Sequence, residues 1–247
     1  MTRLIELYDV GRCTHKPVKG MYEFIVDRAD KFVSDPVLAK ELQNHAVNRE
    51  KQGYSIPQEA FSEMCRIWVT AYRSGDFPID VADLTFPDTV TRFQYLKKWN
   101  QRQIGILTSG SKEFTEILYG LKVESDKKLS DFVDEYFLGE EIGDKDRPET
   151  FARLWDKTEG RISAIYDDKI SVCEAAVQGL GRELGRRWTQ STSLKDCVWI
   201  WLVDRKNEYA TADGELRERV QKLLQDPRVH RVNNFDQVTD FEIGGDE

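Results

Sequence analysis

Four places in the sequence carry side chains suited to a single piece of chemistry. The apolar run Leu4–Tyr8 leads into Asp9, Ile104-Gly105-Ile106-Leu107 leads into Thr108-Ser109-Gly110-Ser111, and the run 162–166 leads into Asp167-Asp168. A lysine, Lys145, lies between the second and third, in Ile142-Gly143-Asp144-Lys145. Carboxylates gathered in one place repel, so a divalent cation between them is expected, and hard oxygen ligands beside a phosphate point to Mg²⁺. A hydroxyl and an ammonium can hold the phosphate oxygens as negative charge builds up on them. One carboxylate can attack phosphorus and form a covalent aspartyl intermediate.

Each fragment taken alone has a plainer reading. An Asp at a strand end commonly caps the next element, and Thr108-Ser109-Gly110-Ser111 before a helix is an N-cap, a role compatible with anion binding. Lys145 by itself reads as a solvated lysine. Asp167-Asp168 is the most informative fragment, because adjacent acids need something to offset their repulsion. If the strands are parallel, their carboxyl ends share one rim and the fragments converge there.

The elements needed to position them follow from periodicity. The 4–8 stretch reads as a buried strand followed by a loop with Gly11 and Pro17. From about 22 to 73 apolar residues recur at helical spacing (Phe24, Ile25, Ala29, Phe32, Val33, then Phe61, Met64, Cys65, Trp68, Val69, Tyr72), with a loop at 48–57 and turn residues at 74–78. The aromatic faces of this block read as its own core. Strand and helix then alternate: helices are expected over 88–99, 114–119, 149–155, a glycine-terminated 172–180 and 214–224. Strands are expected over 104–107, 132–137 near a sheet edge, 162–166, 198–203 and 229–232. The tail from Asp240 reads as frayed. Such alternation predicts an α/β fold with a doubly wound parallel sheet, whose ligands sit outside the carboxyl ends of the strands. The domain reading is a core of residues 1–17 and 87–247, with a helical cap at 18–86 inserted after the first strand.

Bulk properties remove several classes. A net charge of −8 over 247 residues argues against a nucleic-acid partner, which needs a basic stripe. Cys13, Cys65, Cys173 and Cys197 are scattered without a CxxC pair and read as reduced thiols; His15, His45 and His230 form no zinc pattern. No signal-like leader opens the sequence, and no apolar run approaches the ~20 residues of a membrane span. A cytoplasmic protein, a monomer or weak dimer away from membranes, is expected.

In order and strand context these positions resemble the four motifs of the haloacid-dehalogenase (HAD) superfamily. The likeness is strongest to enolase-phosphatases, through Phe86-Pro87-Asp88-Thr89-Val90, Ile106-Leu107-Thr108-Ser109-Gly110-Ser111, Tyr136-Phe137, Ile142-Gly143-Asp144-Lys145, and Tyr166-Asp167-Asp168 with Ala175-Ala176 downstream. The resemblance implies a HAD-like Rossmannoid core and a Mg²⁺-dependent hydrolase acting on a small phosphorylated metabolite. Asp9 would be the nucleophile. Asp9, the Gly11 carbonyl and Asp168, with Asp167 adjacent, would bind Mg²⁺. Thr108 and Lys145 would hold the phosphate, and Ser109 would touch substrate.

One departure bears on function. The family places an acid two residues after the nucleophile as general acid and base; here that residue is Gly11, and the spacing to Pro17 is one residue longer. General acid–base help is worth ~10²–10⁴-fold. Arg12 or His15 in the same loop could compensate, although a loop histidine is ordinarily surface. Two alternatives stay open: a HAD enzyme of other chemistry, cleaving phosphonates or carbon–halogen bonds, and a catalytically degenerate domain that binds a phosphorylated ligand or a protein.

Overall fold

The computed structural model describes residues 3–49, 56–77, 84–99, 102–120, 122–124, 127–188 and 198–238. A period of two runs through its central strands. In β1 (Leu4–Tyr8) Ile5 and Leu7 enter one apolar layer while Tyr8 enters the other. The same division holds in β6 (Ile162–Asp167), where Tyr166 opposes Ile165, and in β7 (Trp199–Val203), where Trp201 opposes Ile200 and Leu202. Both faces are covered, which is why these strands read as apolar runs.

After β1 come three helices, α1 (Met21–Phe32), α2 (Pro36–Asn48) and α3 (Gln58–Ser74). The chain continues through α4 (Pro87–Trp99), β2 (Arg102–Thr108), α5 (Lys112–Tyr119), and a small antiparallel pair, β3 (Lys122–Glu124) with β4 (Lys127–Lys128). Then follow β5 (Glu135–Leu138), α6 (Gly139–Ile142), α7 (Pro148–Lys157), β6, α8 (Ile170–Trp188), β7, α9 (Gly214–Leu223) and β8 (Val229–Val232). Six strands form one parallel sheet in the order β5-β2-β1-β6-β7-β8. Helices α4 and α5 cover one face with Phe93, Leu96, Phe114 and Leu118, and α7, α8 and α9 cover the other with Phe151, Leu154, Cys173, Ala176 and Val220. The sheet is therefore doubly wound, as the alternation predicts. The chain steps outward from β1 to β2 and β5, then returns to the far side of β1 as β6. That reversal opens a crevice at the carboxyl ends of β1 and β6, where ligands bind in open parallel sheets.

Three sequence expectations are revised. The aromatic faces of α1–α3 do not close on themselves: Trp68 packs against Tyr22 (5.4 Å between centroids) and Phe61 (6.1 Å), but also against Phe114 of α5 at 5.7 Å. The edge strand starts at Glu135, with a 3-10 turn over Leu129–Phe132 before it. Helix α8 runs on past Leu180 to Trp188. Gly179 is a site of close approach, where a Cβ would strike the Pro148 carbonyl and approach the Phe151 Cβ at 2.9 Å. Cys197 and the tail from Asp240 lie outside the described residues, while Cys13, Cys65 and Cys173 are free and buried. Among the described residues no helix is long and apolar enough to cross a membrane.

Candidate active site

Asp9 leaves the end of β1 with its backbone N–H donating to the Tyr166 carbonyl at 2.9 Å, so the last residues of β1 and β6 are locked side by side. Lys145 reaches the same point from beyond β5. Its Nζ donates to Asp9 Oδ1 and, at 2.8 Å, to Asp167 Oδ2. The turn that delivers it uses Gly143 at φ +89°, and the Asp144 carbonyl accepts from Thr150 Oγ1 at 2.6 Å. Lys145 is only 3% exposed, so the solvated lysine expected from the isolated residue is corrected: two carboxylates offset its desolvation.

Carboxylate oxygens of Asp9, Asp167 and Asp168 lie within 4.8 Å of one another. Asp167 is already engaged at both oxygens, Oδ2 by Lys145 and Oδ1 by the Lys169 N–H at 2.9 Å. The Asp168 carbonyl accepts from Tyr209 Oη at 2.8 Å, and none of the hydrogen bonds among the described residues ends on its carboxylate. Burial, opposed by Lys145 and reinforced by Asp167, pushes the Asp9 carboxyl up to about 6. Asp168 is raised by burial and by its two carboxylate neighbours. Burial acts to deprotonate Lys145, but Asp167 and Asp9 override it and hold the ammonium charged. With all three ionised, these carboxylates outnumber the one ammonium that binds them by two. A divalent cation matches that surplus, and an all-oxygen donor set suits a hard ion. The residues present fit the group.

Thr108 stands at the same rim on the neighbouring strand, two residues beyond Ile106, which pairs with Tyr8. Its buried Oγ1 accepts from the Gly110 N–H at 3.0 Å, leaving the hydroxyl proton for an anion. It makes no hydrogen bond with Asp9 or Lys145 among the described residues. The Ser109 carbonyl accepts from Gln58 Nε2 of α3 at 2.7 Å, and Ser111 caps α5 by accepting from the Phe114 N–H at 3.3 Å.

Gly11 is exposed, and a Cβ built on it meets no described atom within 4 Å. The two candidate substitutes in its loop turn elsewhere. His15 is buried rather than surface; burial pushes its imidazole down to about 4, its Nδ1 faces Thr14 Oγ1 at 3.0 Å, and its ring lies 4.7 Å from Tyr119. Arg12, at φ 56°, directs its guanidinium to Glu208 at 3.8 Å. Neither hydrogen-bonds Asp9.

Several supporting residues gave no signal in the sequence. Arg205 donates to the Cys13 carbonyl at 2.9 and 2.7 Å and to Asp88 at 3.1 Å, with its guanidinium 3.8 Å from the Phe86 ring centroid and 4.9 Å from that of Phe235. Beneath the rim, the fully buried Glu6 accepts from Arg92 Nη2 at 3.1 and 3.2 Å, from Tyr166 Oη at 3.1 Å, from Tyr8 Oη at 2.5 Å, and from Arg102. Tyr8 and Tyr166 stack at 4.3 Å, one residue short of Asp9 and Asp167 respectively. Such polar residues fall outside an apolar-periodicity reading, and only Gln58, at the start of a helix, sits where a capping search would look.

No protein-family model matches the chain, and no curated protein matches it. Solved structures do. The Unknown transcript 4 protein of Saccharomyces cerevisiae is 14% identical over 96% of this chain and 100% of that chain, with a TM-score of 0.51. CbbY from Rhodobacter sphaeroides, in complex with phosphate, is 12% identical over 95% and 96%, with a TM-score of 0.53. YfnB from Bacillus subtilis, a HAD-hydrolase bound to magnesium, is 11% identical over 96% and 97%, with a TM-score of 0.51. At these identities the likeness concerns the fold, which is the HAD-like Rossmannoid core.

Proposed function

We propose that the chain is a HAD-type hydrolase of enolase-phosphatase kind, acting in the cytoplasm as a monomer or weak dimer on a small phosphorylated metabolite. The observation that carries the reading is the buried triad at the switch point, in which one ammonium binds Asp9 and Asp167 while Asp168 stands beside them. Asp9 is the nucleophile, its free oxygen attacking phosphorus to form an aspartyl-phosphate. Lys145 fixes the rotamer of Asp9 through Oδ1, and with the Thr108 hydroxyl it takes up charge on the phosphate oxygens. Asp167 acts on Lys145 and adjoins the ligand set. Asp9, Asp168 and the Gly11 carbonyl would hold Mg²⁺, which supplies positive charge to a phosphate that would otherwise face a net negative site. The α1–α3 helices serve as a cap, with the Gln58–Ser109 contact joining it to the phosphate loop, and Ser109 faces substrate.

The test is phenolate release from an aryl phosphate with Mg²⁺. Wild type is expected to release phenolate and Asp9→Asn none; equal release by both would remove Asp9 from the role of nucleophile.

A further inference from the structure

We propose that this site forms its phosphoenzyme faster than it discharges it, and that its donors carry phosphate on a carboxyl, enol or phenol oxygen. The inference rests on the reading of Asp9 as nucleophile. In the first step an Asp9 oxygen bonds to phosphorus, the bond from phosphorus to the donor oxygen breaks, and that oxygen leaves with the electron pair. An alkoxide leaving in this way needs a proton delivered to it. A carboxylate, a stabilised enolate or a phenolate leaves as the anion. In the second step a water oxygen bonds to phosphorus, the Asp9 oxygen leaves as carboxylate, and the proton of the attacking water must pass to a base.

Among the described residues, those that hydrogen-bond Asp9 supply no group for either proton, and the other cation near its carboxylate, Lys169, is exposed and makes no hydrogen bond to it. Lys145 is held between two carboxylates. Both Asp167 oxygens are occupied, and Asp168, whose carboxylate accepts no hydrogen bond among the described residues, would be taken up by the cation. Thr14 Oγ1 lies 2.9 Å from the Asp9 carbonyl and 3.2 Å from that of Val10, and a hydroxyl is no base. Cys13 Sγ donates to the Tyr166 carbonyl at 3.6 Å. Arg12 points to Glu208 and His15 to Thr14. The residue two beyond the nucleophile is Gly11, and the space its side chain would take is empty among the described residues. Its φ is not positive, so an L side chain fits there without backbone strain. Attack by Asp9 on a donor with a good leaving group therefore proceeds, and attack by water on the phosphoenzyme finds no base among the described residues.

The experiment mixes the full chain rapidly with an aryl phosphate and Mg²⁺, and separately with radiolabelled acetyl phosphate and Mg²⁺. The expected result is a burst of about one phenolate per protein chain before a slow steady state, with label on the wild-type protein but not on Asp9→Asn. A simple alkyl phosphate gives no burst. Gly11→Asp restores the missing group, raises the steady-state rate by about 10²–10⁴-fold and removes the burst, while Gly11→Ala does neither. Linear phenolate release from wild type, with no labelled protein, overturns the inference and leaves Asp9 as nucleophile if Asp9→Asn is inactive. No phenolate and no label from wild type overturns the nucleophile reading as well. Should Gly11→Asp fail to fold, the wild-type burst still decides.

Discussion

Replacing Glu6 by Gln tests how far the site depends on charge buried beneath it. The carboxylate is fully buried and accepts from two guanidiniums and two phenols, with Arg92 itself only 7% exposed at the side chain. Gln keeps the shape but removes the charge and turns an N–H₂ toward donors. Breaking a buried ion pair by neutralising one partner costs about 3–5 kcal/mol. Arg102, nearer the surface, recovers some hydration, which places the loss at the lower part of that range. Against a total stability of about 5–15 kcal/mol the loss of about 3–4 kcal/mol is large; at roughly 2–4 °C per kcal/mol it lowers Tm by about 6–16 °C. Burial alone would raise the Glu6 pKa, but Arg92, Arg102 and Tyr8 bring it below 4.5. A folded-state pKa below the unfolded one means the carboxylate's contribution is complete above about 4.5 and is lost as pH falls through the folded value. Urea melts of wild type and Glu6→Gln should thus differ most near pH 7 and converge toward pH 3. A difference under about 1 kcal/mol at pH 7, or one that does not shrink in acid, would refute the reasoning.

Three further outcomes follow from the same geometry. Gly179→Ala forces a methyl against the Pro148 carbonyl at the α7–α8 crossing and should destabilise by about 1–3 kcal/mol in a denaturant melt. Because burial raises the Asp9 carboxyl to about 6 and the Asp168 carboxyl to about 8, and ligation requires both ionised, Mg²⁺ affinity should fall as pH drops below about 8 and more steeply below about 6. Calorimetry in buffers of different ionisation enthalpy should show protons released on binding; proton-neutral, pH-independent binding would contradict the ligand assignment. Gln58→Leu removes the donor to the Ser109 carbonyl and should raise KM for an aryl phosphate several-fold with little change in the burst amplitude, whereas Gln58→Asn should restore part of the loss.

The sheet was legible because its central strands are covered on both faces and so stand out as apolar runs. Asp9, Thr108 and Asp167-Asp168 were legible because they end such runs, and the parallel order brings those ends to one rim. Lys145 was legible by position but not by environment: its burial depends on two carboxylates that are remote in sequence. His15 misled for the same reason, since a histidine in a loop buries only when an aromatic such as Tyr119 and a hydroxyl such as Thr14 meet it in three dimensions. Glycine carries two meanings that a sequence does not separate. At 179 it marks close packing of two helices, and at 181, read as the helix end, it lies inside α8.

Several contacts that sequence reasoning missed tie the helical insert and the connections on either side of it to the loops of the site. The Lys16 N–H donates to the Leu84 carbonyl at 2.6 Å and the Phe86 N–H to the Thr14 carbonyl at 3.1 Å, so the outgoing and returning connections of the insert pair with each other. Thr89 Oγ1 donates to that same Thr14 carbonyl at 3.2 Å, and Arg205 joins Cys13 to Asp88. At the other end of the insert Gln58 holds Ser109, beside Thr108. The α1–α3 insert is thereby tied both to the segment holding Gly11 and to the loop following Thr108. Asp9, by contrast, is pinned by Lys145 and by its backbone bond to Tyr166, neither of which belongs to the insert. Asp9 is thus held from the sheet, while the loop with Gly11 and the loop after Thr108 are tied to the insert, so on the proposed reading sequence change in the insert should alter which donor is accepted more than whether Asp9 is phosphorylated.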